Sequence, residues 1–481
     1  ARVEGAFLFA SEIKCLLEHP HVPRTVNEEA LYHFLTFLTT PAPSTLFKDI
    51  YKLQPGHRMF VAGDGQVQVE EYWDVFDSVR YDPGLTEADL VERLRAGLRE
   101  SVGLRMVSDV PFGVLLSGGI DSTTNVALMA EQMDRPVQTF SIGYEGAVAG
   151  EYNEFQYARQ AARHFRTDHH EVLIGPQDLL DFLPKLIYHQ DEPIADPVCV
   201  PVYFVSKLAK DAGTTVVQVG EGADELFSGY AHWLRALRLH AGPWRAFTAL
   251  PRPVRQLSLA AAAPVLRGLR MEYLRRGVAG EELFWGGAIA FGEIAKRALL
   301  APDYRRRMAG LSSHDVIRPH RERFDARSPL SDYLTWMGYL DLRMRLPELL
   351  LMRVDKMAMA TSVEARVPFL DHEFVGLAMS IPQRQKLNGY QPKHLLKQAV
   401  RGLIPDEIID RPKQGFRVPV RQWLDDALGP VMESRLRDFC RRTDYFDWRA
   451  VQSLLQSRDE LSWYLLNFAM WHELWIEGSA K

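Results

Sequence analysis

A turn of sequence Ser-Gly-Gly-Ile-Asp-Ser at residues 117–122 constrains the fold of this chain more than any other feature. It follows the apolar run 112–116, which suits a strand buried on both faces of a parallel sheet, and it precedes apolar residues at helical spacing. The glycines allow the backbone to approach a ligand closely, and the free N–H groups at the amino end of a helix favour a phosphate. Ser117 and Ser122 can add hydroxyl donors. The carboxylate of Asp121 fits beside phosphates if a Mg²⁺ ion lies between them, so the turn predicts a magnesium-phosphate site.

Length and composition limit the class of protein. At 481 residues the chain is expected to form two or three domains, and 47% hydrophobic with 25% charged residues is typical of a soluble globular protein. The net charge of −5 gives no global indication of nucleic acid or an anionic membrane as a partner. No apolar stretch approaches the ~20 residues that span a bilayer. The three cysteines, Cys15, Cys199 and Cys440, are far apart and odd in number, which predicts neither disulfides nor a zinc site and favours a reducing cytoplasm.

Residues 1–75 alternate short apolar runs with turns, which predicts a β-rich portion with one helix near residues 27–38. Asp64-Gly65 between two apolar runs is a hairpin signal. The chain opens on Ala1 with neither an initiator methionine nor a signal peptide, and its first ten residues resemble a hairpin already in progress. We therefore expect the sequence to be the remainder of a longer one. Because this portion has an open sheet edge, we expect it to be poorly packed or to pair with another chain.

From residue 110 onward, after a predicted linker at 81–84, strands and helices alternate along the chain. We predict strands at 112–116, 137–143, 169–174 and 214–219, and helices at 86–102, 123–133, 152–165, 178–188 and 201–212. This alternation predicts a doubly wound parallel sheet of about five strands, whose ligands bind at the carboxyl ends of the strands. Residues 231–330 and most of 333–481 are predicted to be helical, and the arginines of 251–277 are attributed to a solvated helix face.

A second polar constellation, Gly-Glu-Gly-Ala-Asp-Glu at residues 220–225, follows the predicted strand 214–219. Taken alone it predicts an exposed acidic turn, because three like charges repel one another. Its place at the same sheet edge as the turn at 117–122 favours another interpretation, in which the carboxylates hold Mg²⁺ or accept protons from an attacking amine. An acidic loop that contains Asp196 either lines the same site or caps a helix.

Two cations outside these loops are candidates for binding substrates. Lys413, in a loop that begins at Arg411, is either an ordinary basic residue or a group that stabilises negative charge on a polyphosphate during adenylyl transfer. Arg366 either pairs with Glu364 and braces a wall of the site, or receives a substrate carboxylate in bidentate fashion. The sequence leaves both choices open.

With these motifs the chain resembles the glutamine-hydrolysing asparagine synthetases, and the turn at 117–122 resembles the pyrophosphate loop of the N-type ATP pyrophosphatases. The matches cover about residues 90–480 in family order and are Ser117–Ser122, Gly220–Tyr230, Met352–Asp371 and Lys393–Trp423. Residues 1–75 resemble the last part of the family's glutaminase domain. Two departures are Ala1, since the family has a nucleophilic cysteine at the mature amino terminus, and Val219, where a serine is frequent. With valine, only a backbone contact to the nucleotide would survive at that position.

The resemblance implies an α/β fold, with a doubly wound parallel sheet of the ATP-pyrophosphatase (adenine nucleotide α-hydrolase-like) type and a large helical extension. A β-rich remnant of an Ntn-type glutaminase domain precedes it, with domain bounds at residues 1–78 and 85–481. The implied reaction is ATP-dependent amidation, in which a carboxylate attacks the α-phosphorus of ATP and ammonia then displaces AMP from the acyl-adenylate. ATP and Mg²⁺ would be the cofactors and small molecules the partners, without nucleic acid or membrane. The resemblance further suggests a cytoplasmic location and leaves a homodimer open.

The same resemblance implies roles for individual residues. Glu221, Lys413 and Asp121 would be catalytic, with Glu221 as the base for the attacking ammonia. Asp121 and Asp224 would hold Mg²⁺, and Arg366 would be a candidate ligand of the substrate carboxylate. Together with Asp121, the residues that would bind the pyrophosphate or the adenosine of ATP are Leu115, Ser117, Gly118, Gly119, Ser122, Ile142, Val219 and Gly220.

Three functions agree with the sequence. The first is synthesis of asparagine from aspartate and ammonia, with the ammonia derived from glutamine in the longer enzyme. The second keeps this chemistry but uses another acceptor, such as a sugar acid, a peptide, or an amino acid closed to a β-lactam or a lasso ring. The predicted helical stretch 231–330 would then shape a different pocket. The third is a nucleotide-binding interaction protein without turnover, which has no need of Asp121, Glu221 and Lys413 together.

Overall fold

The computed structural model describes residues 1–3, 5–146, 149–412, 415, 418–425 and 428–478, with the backbone alone at Ala149 and Glu151. The first 84 residues contain two antiparallel hairpins and three helices, which are β1 (Arg2–Val3), β2 (Ala6–Phe7), α1 (Ile13–Leu16), α2 (Glu28–Phe37), β3 (His57–Val61), β4 (Val67–Glu71) and α3 (Val75–Ser78). The hairpin predicted at Asp64-Gly65 is confirmed, because Val61 and Val67 lie opposite each other across that turn.

The doubly wound parallel sheet is confirmed. The elements that build it are α4 (Glu87–Leu104), β5 (Phe112–Leu115), α5 (Ile120–Ala130), β6 (Gln138–Tyr144), α6 (Ala149–Tyr152), α7 (Phe155–Phe165), β7 (Asp168–Ile174), α8 (Pro176–Gln190), α9 (Cys199–Asp211), β8 (Val216–Gln218), α10 (Ala223–Phe227) and a late strand β9 (Glu364–Arg366). The strand order is β7-β6-β5-β8-β9, and every neighbouring pair is parallel. The sequence did not predict β9, because three residues far beyond β8 in the chain carry no recognisable periodicity.

Strand β5 lies at the point where the sheet changes direction. The chain continues from β5 to β6 and β7 on one side, and then adds β8 and β9 on the other side. Val114 in β5 is level with Thr139 in β6 and with Gln218 in β8. The turns that follow β5 and β8 therefore start at the same height, and a crevice opens between them at the carboxyl edge of the sheet.

The remainder of the described chain is mainly helical, as predicted. Its helices are α11 (Ala231–Leu239), α12 (Arg245–Thr248), α13 (Arg252–Ala262), α14 (Gly268–Ala279), α15 (Glu293–Leu299), α16 (Pro302–Arg307), α17 (His314–Arg327), α18 (Tyr333–Arg343), α19 (Met352–Met359), α20 (His372–Met379), α21 (Gln383–Lys386), α22 (His394–Val400), α23 (Asp406–Asp410), α24 (Val420–Asp425), α25 (Leu428–Arg442), α26 (Trp448–Gln456) and α27 (Leu461–Trp475). Two π-helical turns, His240–Trp244 and Leu346–Leu351, connect neighbouring helices.

Helix α2 is fully integrated into the main hydrophobic core, so the expectation of poor packing is wrong for this helix. The hairpin of β3 and β4 agrees with that expectation, because Phe60, Val61 and Val69 are about half exposed. Eight of the ten residues of α2 are buried. The ring of Phe34 lies 6.3 Å from that of Phe468, and the ring of Phe47 lies 4.9 Å from that of Trp471. The first and the last parts of the described chain therefore share one core. The domain bounds at 78 and 85 stay a prediction.

Among the described residues, no helix combines the length and the apolar character that crossing a bilayer requires.

The core position of α2 leads to a stability prediction. Phe34→Ala removes a fully buried ring, and we expect it to lower the free energy of unfolding by about 3–5 kcal/mol through lost transfer energy and a residual cavity. Phe9→Ala is the matched control, because Phe9 is 85% exposed, and should leave stability unchanged. Urea unfolding monitored by circular dichroism makes the comparison. Equal stability of the two variants would contradict a shared core.

Candidate active site

A cleft of about 680 Å³ opens at the carboxyl edge of the sheet. Its walls come from the turns after β5 and β8, from β6, from α19, from residues 392–412 and from Gly415. Of the residues predicted from sequence, those that line the cleft are Leu115, Ser117, Gly119, Asp121, Ser122, Ile142, Val219, Gly220, Glu221 and Asp224. The fold thus brings nearly all of the predicted site residues to one place.

The turn at residues 117–122 has the geometry of an anion-binding loop. Gly118 adopts a positive φ of 69°, and a β-carbon there would lie only 2.7 Å from Cβ of Tyr157, so glycine is required. Gly118 thereby shapes the turn without lining the cleft. The backbone N–H groups of Ser117 and Gly119 donate to the hydroxyls of Ser122 and Ser117, each at 3.3 Å. Because α5 begins directly after this turn, its positive end faces the cleft.

The turn after β8 packs directly on the turn after β5. A β-carbon on Gly220 would lie 2.8 Å from Cβ of Asp121 and 3.1 Å from the backbone nitrogen of Ser122. Only glycine allows this approach. The close contact places Glu221 and Asp224 beside the phosphate loop, where the sequence predicted them.

Lys393 is the central cation of the site, and the sequence analysis assigned it no role. Its Nζ lies 2.6 Å from both carboxylate oxygens of Asp121 and 2.6 Å from Oδ1 of Asp224. Burial alone would lower the pKa of Lys393, but the two carboxylates outweigh burial and raise it, so the ammonium stays charged. The residue adopts a left-handed backbone (φ 55°) that costs about 1–2 kcal/mol, which the surrounding contacts must offset.

The carboxylate oxygens around Lys393 are of the type that binds a divalent cation. Since Asp121 and Asp224 both contact one ammonium, their oxygens can share one hard cation, with phosphate oxygens and water as further ligands. Within the described part of the chain, no cluster of three or more histidine, cysteine, aspartate or glutamate residues forms a complete metal site. A bound Mg²⁺ would therefore depend on the phosphates of its ligand for coordination.

Glu221 is held by an arginine that the sequence analysis also missed. Arg353, from α19, donates from Nη2 to Oε1 of Glu221 at 2.7 Å and from Nη1 to Oδ2 of Asp196 at 2.6 Å. Burial would lower the pKa of Arg353, but the two carboxylates raise it. Of the two roles left open for Asp196, the structure shows the first, because Asp196 lines the cleft. Its Oδ1 accepts the N–H of Val198, but α9 has no side-chain cap.

Val219 offers the nucleotide less than the sequence suggested. Its N–H donates to the carbonyl of Arg366 at 2.9 Å, within the pairing of β8 with β9. Its carbonyl accepts from Nδ2 of Asn125 at 3.1 Å. Both backbone groups of Val219 are therefore engaged within the protein, and Val219 contributes an apolar wall together with Leu115 and Ile142.

Arg366 does not line the cleft, which corrects its assignment as a ligand of the substrate carboxylate. Its Nε donates to Glu364 at 2.7 Å, and its Nη1 donates to the carbonyls of Arg105 and Val107 at 3.1 and 2.7 Å. The guanidinium thus satisfies carbonyls beyond the end of α4, on the far side of β9. The alternative interpretation, a pair with Glu364 that braces the sheet edge, is the one that the geometry supports.

The remaining predicted cation, Lys413, lies outside the described residues. Its neighbour Arg411 lies in the cleft wall, donates to Glu154 at 2.8 Å and stacks 4.1 Å from the ring centre of Tyr157. Arg411 therefore places the start of this loop against the phosphate turn.

A second cavity of about 200 Å³ lies behind the cleft, between residues 37–75 and the helical extension. Arg345 lines both cavities, stacks on Tyr230 at 4.7 Å and lies 3.4 Å from Glu225. Burial raises the pKa of Glu225, and Arg345 only partly opposes this. The sequence offered no signal for this arrangement, because it depends on contacts between distant helices.

The cation at the centre of the cleft leads to a second stability prediction. Lys393→Met removes the buried ammonium that Asp121 and Asp224 both contact, and we expect a loss of about 3–5 kcal/mol in the free energy of unfolding. Adding Asp224→Asn should recover part of that loss, because it removes one of the repelling charges. Lys207→Met, which breaks an exposed pair with Asp211, is the control and should have no effect. A Lys393 variant as stable as this control would show that the buried pair contributes nothing.

Comparison with known proteins agrees with this geometry. The family model described as asparagine synthase matches residues 93–473, and the model described as a glutamine amidotransferase domain matches residues 1–73. Among solved structures, a chain of NMN synthetase from Francisella tularensis covers 30% of this chain and 59% of its own length at 18% identity. Its TM-score is 0.21, a likeness too weak to carry an argument.

Curated relatives cover nearly the whole chain. "Asparagine synthetase [glutamine-hydrolyzing] 1" of Bacillus subtilis is 33% identical over 98% of this chain and 72% of the relative. "Asparagine synthetase [glutamine-hydrolyzing] 3" of the same organism is 28% identical over 86% of this chain and 61% of the relative. "Amidase chyE" of Penicillium rubens is 25% identical over 94% and 70%. Since the family model covers most of the chain and the first relative matches it almost throughout, the chain belongs to the asparagine synthase family.

Proposed function

We propose that this chain catalyses ATP-dependent amidation of a carboxylic acid, and that the acid is aspartate. The observation that carries the proposal is the convergence, in one cleft, of the phosphate turn with Asp121, Asp224 and Lys393. Glu221 and Arg353 stand on the same wall. A protein that only binds a nucleotide has no need of a base beside the phosphate site, so the arrangement favours turnover over binding alone.

In the first half-reaction, an oxygen of the acceptor carboxylate attacks the α-phosphorus of ATP and pyrophosphate leaves. The turn at 117–122 would bind the departing phosphates through its N–H and hydroxyl groups, while the apolar wall of Leu115, Ile142 and Val219 borders the adenosine. A Mg²⁺ ion held by Asp121 and Asp224 would neutralise charge on the phosphates. Lys393 supplies a fixed positive charge beside the same two carboxylates.

In the second half-reaction, ammonia attacks the carbonyl of the acyl-adenylate and AMP leaves. The nitrogen must lose a proton, and Glu221 is our candidate to accept it. The hydrogen bond from Arg353 fixes the direction of the Glu221 carboxylate and keeps one oxygen occupied. The other oxygen remains oriented by that bond for proton transfer.

The charges around Arg353 favour an amino acid as the acceptor. Asp196 and Glu221 both contact this single arginine, so the described wall carries more negative than positive charge. An acceptor with an ammonium group would offset this excess, whereas a sugar acid carries only further negative charge. This comparison favours aspartate.

A second candidate keeps the chemistry and changes the acceptor to a peptide or to an amino acid that closes a ring. The helical extension between α11 and α17 and the relative named as an amidase both favour keeping this candidate in the test.

We also propose that the cofactors are ATP and Mg²⁺. For the location we propose the cytoplasm, because the three cysteines are free thiols. A homodimer stays a prediction.

The test of the acceptor uses ammonium chloride as the nitrogen source. We incubate the chain with ATP, Mg²⁺ and one carboxylic acid from a panel, at pH 7 and pH 8.5, and measure AMP and pyrophosphate. Aspartate should release both, faster at pH 8.5 because more of the ammonia is unprotonated. Malate, which has a hydroxyl in place of the ammonium group, should be at least about tenfold slower if Asp196 and Glu221 recognise that group.

The other outcomes of this panel are equally informative. Release with a peptide or a ring-forming amino acid but not with aspartate would establish the second candidate. Binding of ATP without AMP formation from any acid would contradict enzymatic turnover.

A substitution at Glu221 separates the two half-reactions. Glu221→Gln keeps size and hydrogen bonding but removes the base, so amide formation should fall by about 10²–10⁴-fold. Exchange of labelled pyrophosphate into ATP, which reports the first half-reaction alone, should stay within about threefold. The control is Glu364→Gln, an exposed glutamate outside the cleft, which should change neither rate. Loss of pyrophosphate exchange in Glu221→Gln would assign Glu221 to adenylation instead.

A further inference from the structure

The segment 226–271 has a charge pattern unlike the rest of the chain. It contains no aspartate, glutamate or lysine, but it contains seven arginines, which are Arg235, Arg238, Arg245, Arg252, Arg255, Arg267 and Arg270. The whole chain has a net charge of −5. A concentrated positive charge on a chain of negative net charge indicates an anionic partner at this place.

Helices α13 and α14 form a helical hairpin that carries this charge outward. At the base of the hairpin, the Arg255 guanidinium donates to the carbonyl of Gly277. A β-carbon on Gly277 would lie 2.6 Å from the ring of Phe247, so this aromatic residue packs tightly against α14. The hairpin is thus anchored at one end. We call residues 257–270, which lie beyond this anchor and include the turn between the two helices, the hairpin tip.

The hairpin tip exposes large aliphatic side chains next to its arginines. Leu257 is 71% exposed, Val265 is 79% exposed and Leu269 is 57% exposed. One exposed aliphatic residue is normal, but a group of them within twenty residues marks an interaction surface. The hairpin tip contains no aromatic residue.

The arginines of the segment differ from those of neighbouring helices in their partners. In the part of the chain that the structure describes, none of the seven arginines forms an ion pair with a carboxylate. By contrast, nearby α17 pairs its arginines with acids, as Arg318 with Asp315 and Arg321 with Asp325 show. The expectation of an ordinary solvated helix face therefore does not explain this segment, since such faces carry mixed charges.

We propose that the hairpin tip docks this protein on the surface of an anionic lipid bilayer. Arg267 and Arg270 would contact lipid phosphates, while Leu257 and Val265 enter the boundary between headgroups and acyl chains. The combination of exposed aliphatic residues with arginines fits this partner. Single-stranded nucleic acid is bound through aromatic stacking, for which the hairpin tip has no residue. The proposal is independent of the acceptor that the cleft uses.

The test measures sedimentation of the full chain with vesicles. Vesicles of phosphatidylcholine with one quarter phosphatidylglycerol should bind the chain, and vesicles of phosphatidylcholine alone should not. Raising the salt from 50 to 500 mM should release it. Replacing Arg267 and Arg270 by serine should lower the partition coefficient about fivefold for each arginine.

A second variant tests the aliphatic contribution at constant charge. The double substitution Leu257→Ser with Val265→Ser should lower vesicle binding at least about tenfold. The matched control replaces Arg437 and Arg441 on α25 by serine, and should bind as the unmodified chain does. Because all replaced side chains at the tip are exposed, thermal unfolding should be unchanged in each variant.

Three results would overturn the proposal. The first is absence of binding to the anionic vesicles. The second is binding that persists in both tip variants. The third is binding to a single-stranded polynucleotide that is as tight as binding to vesicles and insensitive to the Leu257 and Val265 substitutions, which would make the tip a site for polyanions in general.

Discussion

The ammonium group of Lys393 ties together the stretches of chain from which the cleft is built. The parallel sheet brings the turns after β5 and β8 to one edge, but it does not decide where Asp121 and Asp224 point. Their carboxylates repel each other unless a cation lies between them, and Lys393 provides that cation from the start of α22. The helical extension therefore takes part in the chemistry of the sheet edge. A change in the position of α22 would alter the charge at the phosphate site without touching the phosphate turn.

Much of the fold could be predicted because its signals are local. Alternating strand and helix patterns located β5 to β8 to within a few residues, and the glycines at 118 and 220 marked the turns where only glycine fits. Strand β9 was not predicted, because its pairing with β8 is a contact between distant parts of the chain and leaves no local sequence pattern. The packing of α2 was predicted wrongly for a similar reason. Its partners Phe468 and Trp471 lie at the other end of the described chain.

The site was predictable in its composition and less so in its contacts. Residue types and spacing identified the acids, but ion-pair partners depend on which helices meet, so Lys393 and Arg353 were missed and Arg366 was assigned a role that its geometry does not support. The N–H of Val219 donates to a carbonyl in β9, the strand that the sequence did not predict. Because of the pairing with β9, this N–H is not available to the nucleotide. The role of Lys413 in stabilising negative charge during adenylyl transfer stays a prediction.

The shared core between α2 and α27 has a consequence for synthesis of the protein. The rings of Phe34 and Phe468 are about 430 residues apart in the sequence, so α2 cannot bury its apolar face until the ribosome has made nearly all of this stretch. During translation, at about 5–20 residues per second, this face stays exposed for at least some twenty seconds. A nascent chain in that condition is a natural client for chaperones, and its early residues are the ones most prone to aggregate. The order of the helices in the sequence therefore delays the burial of α2 until α27 has been synthesised, and the folded structure gives no sign of this delay.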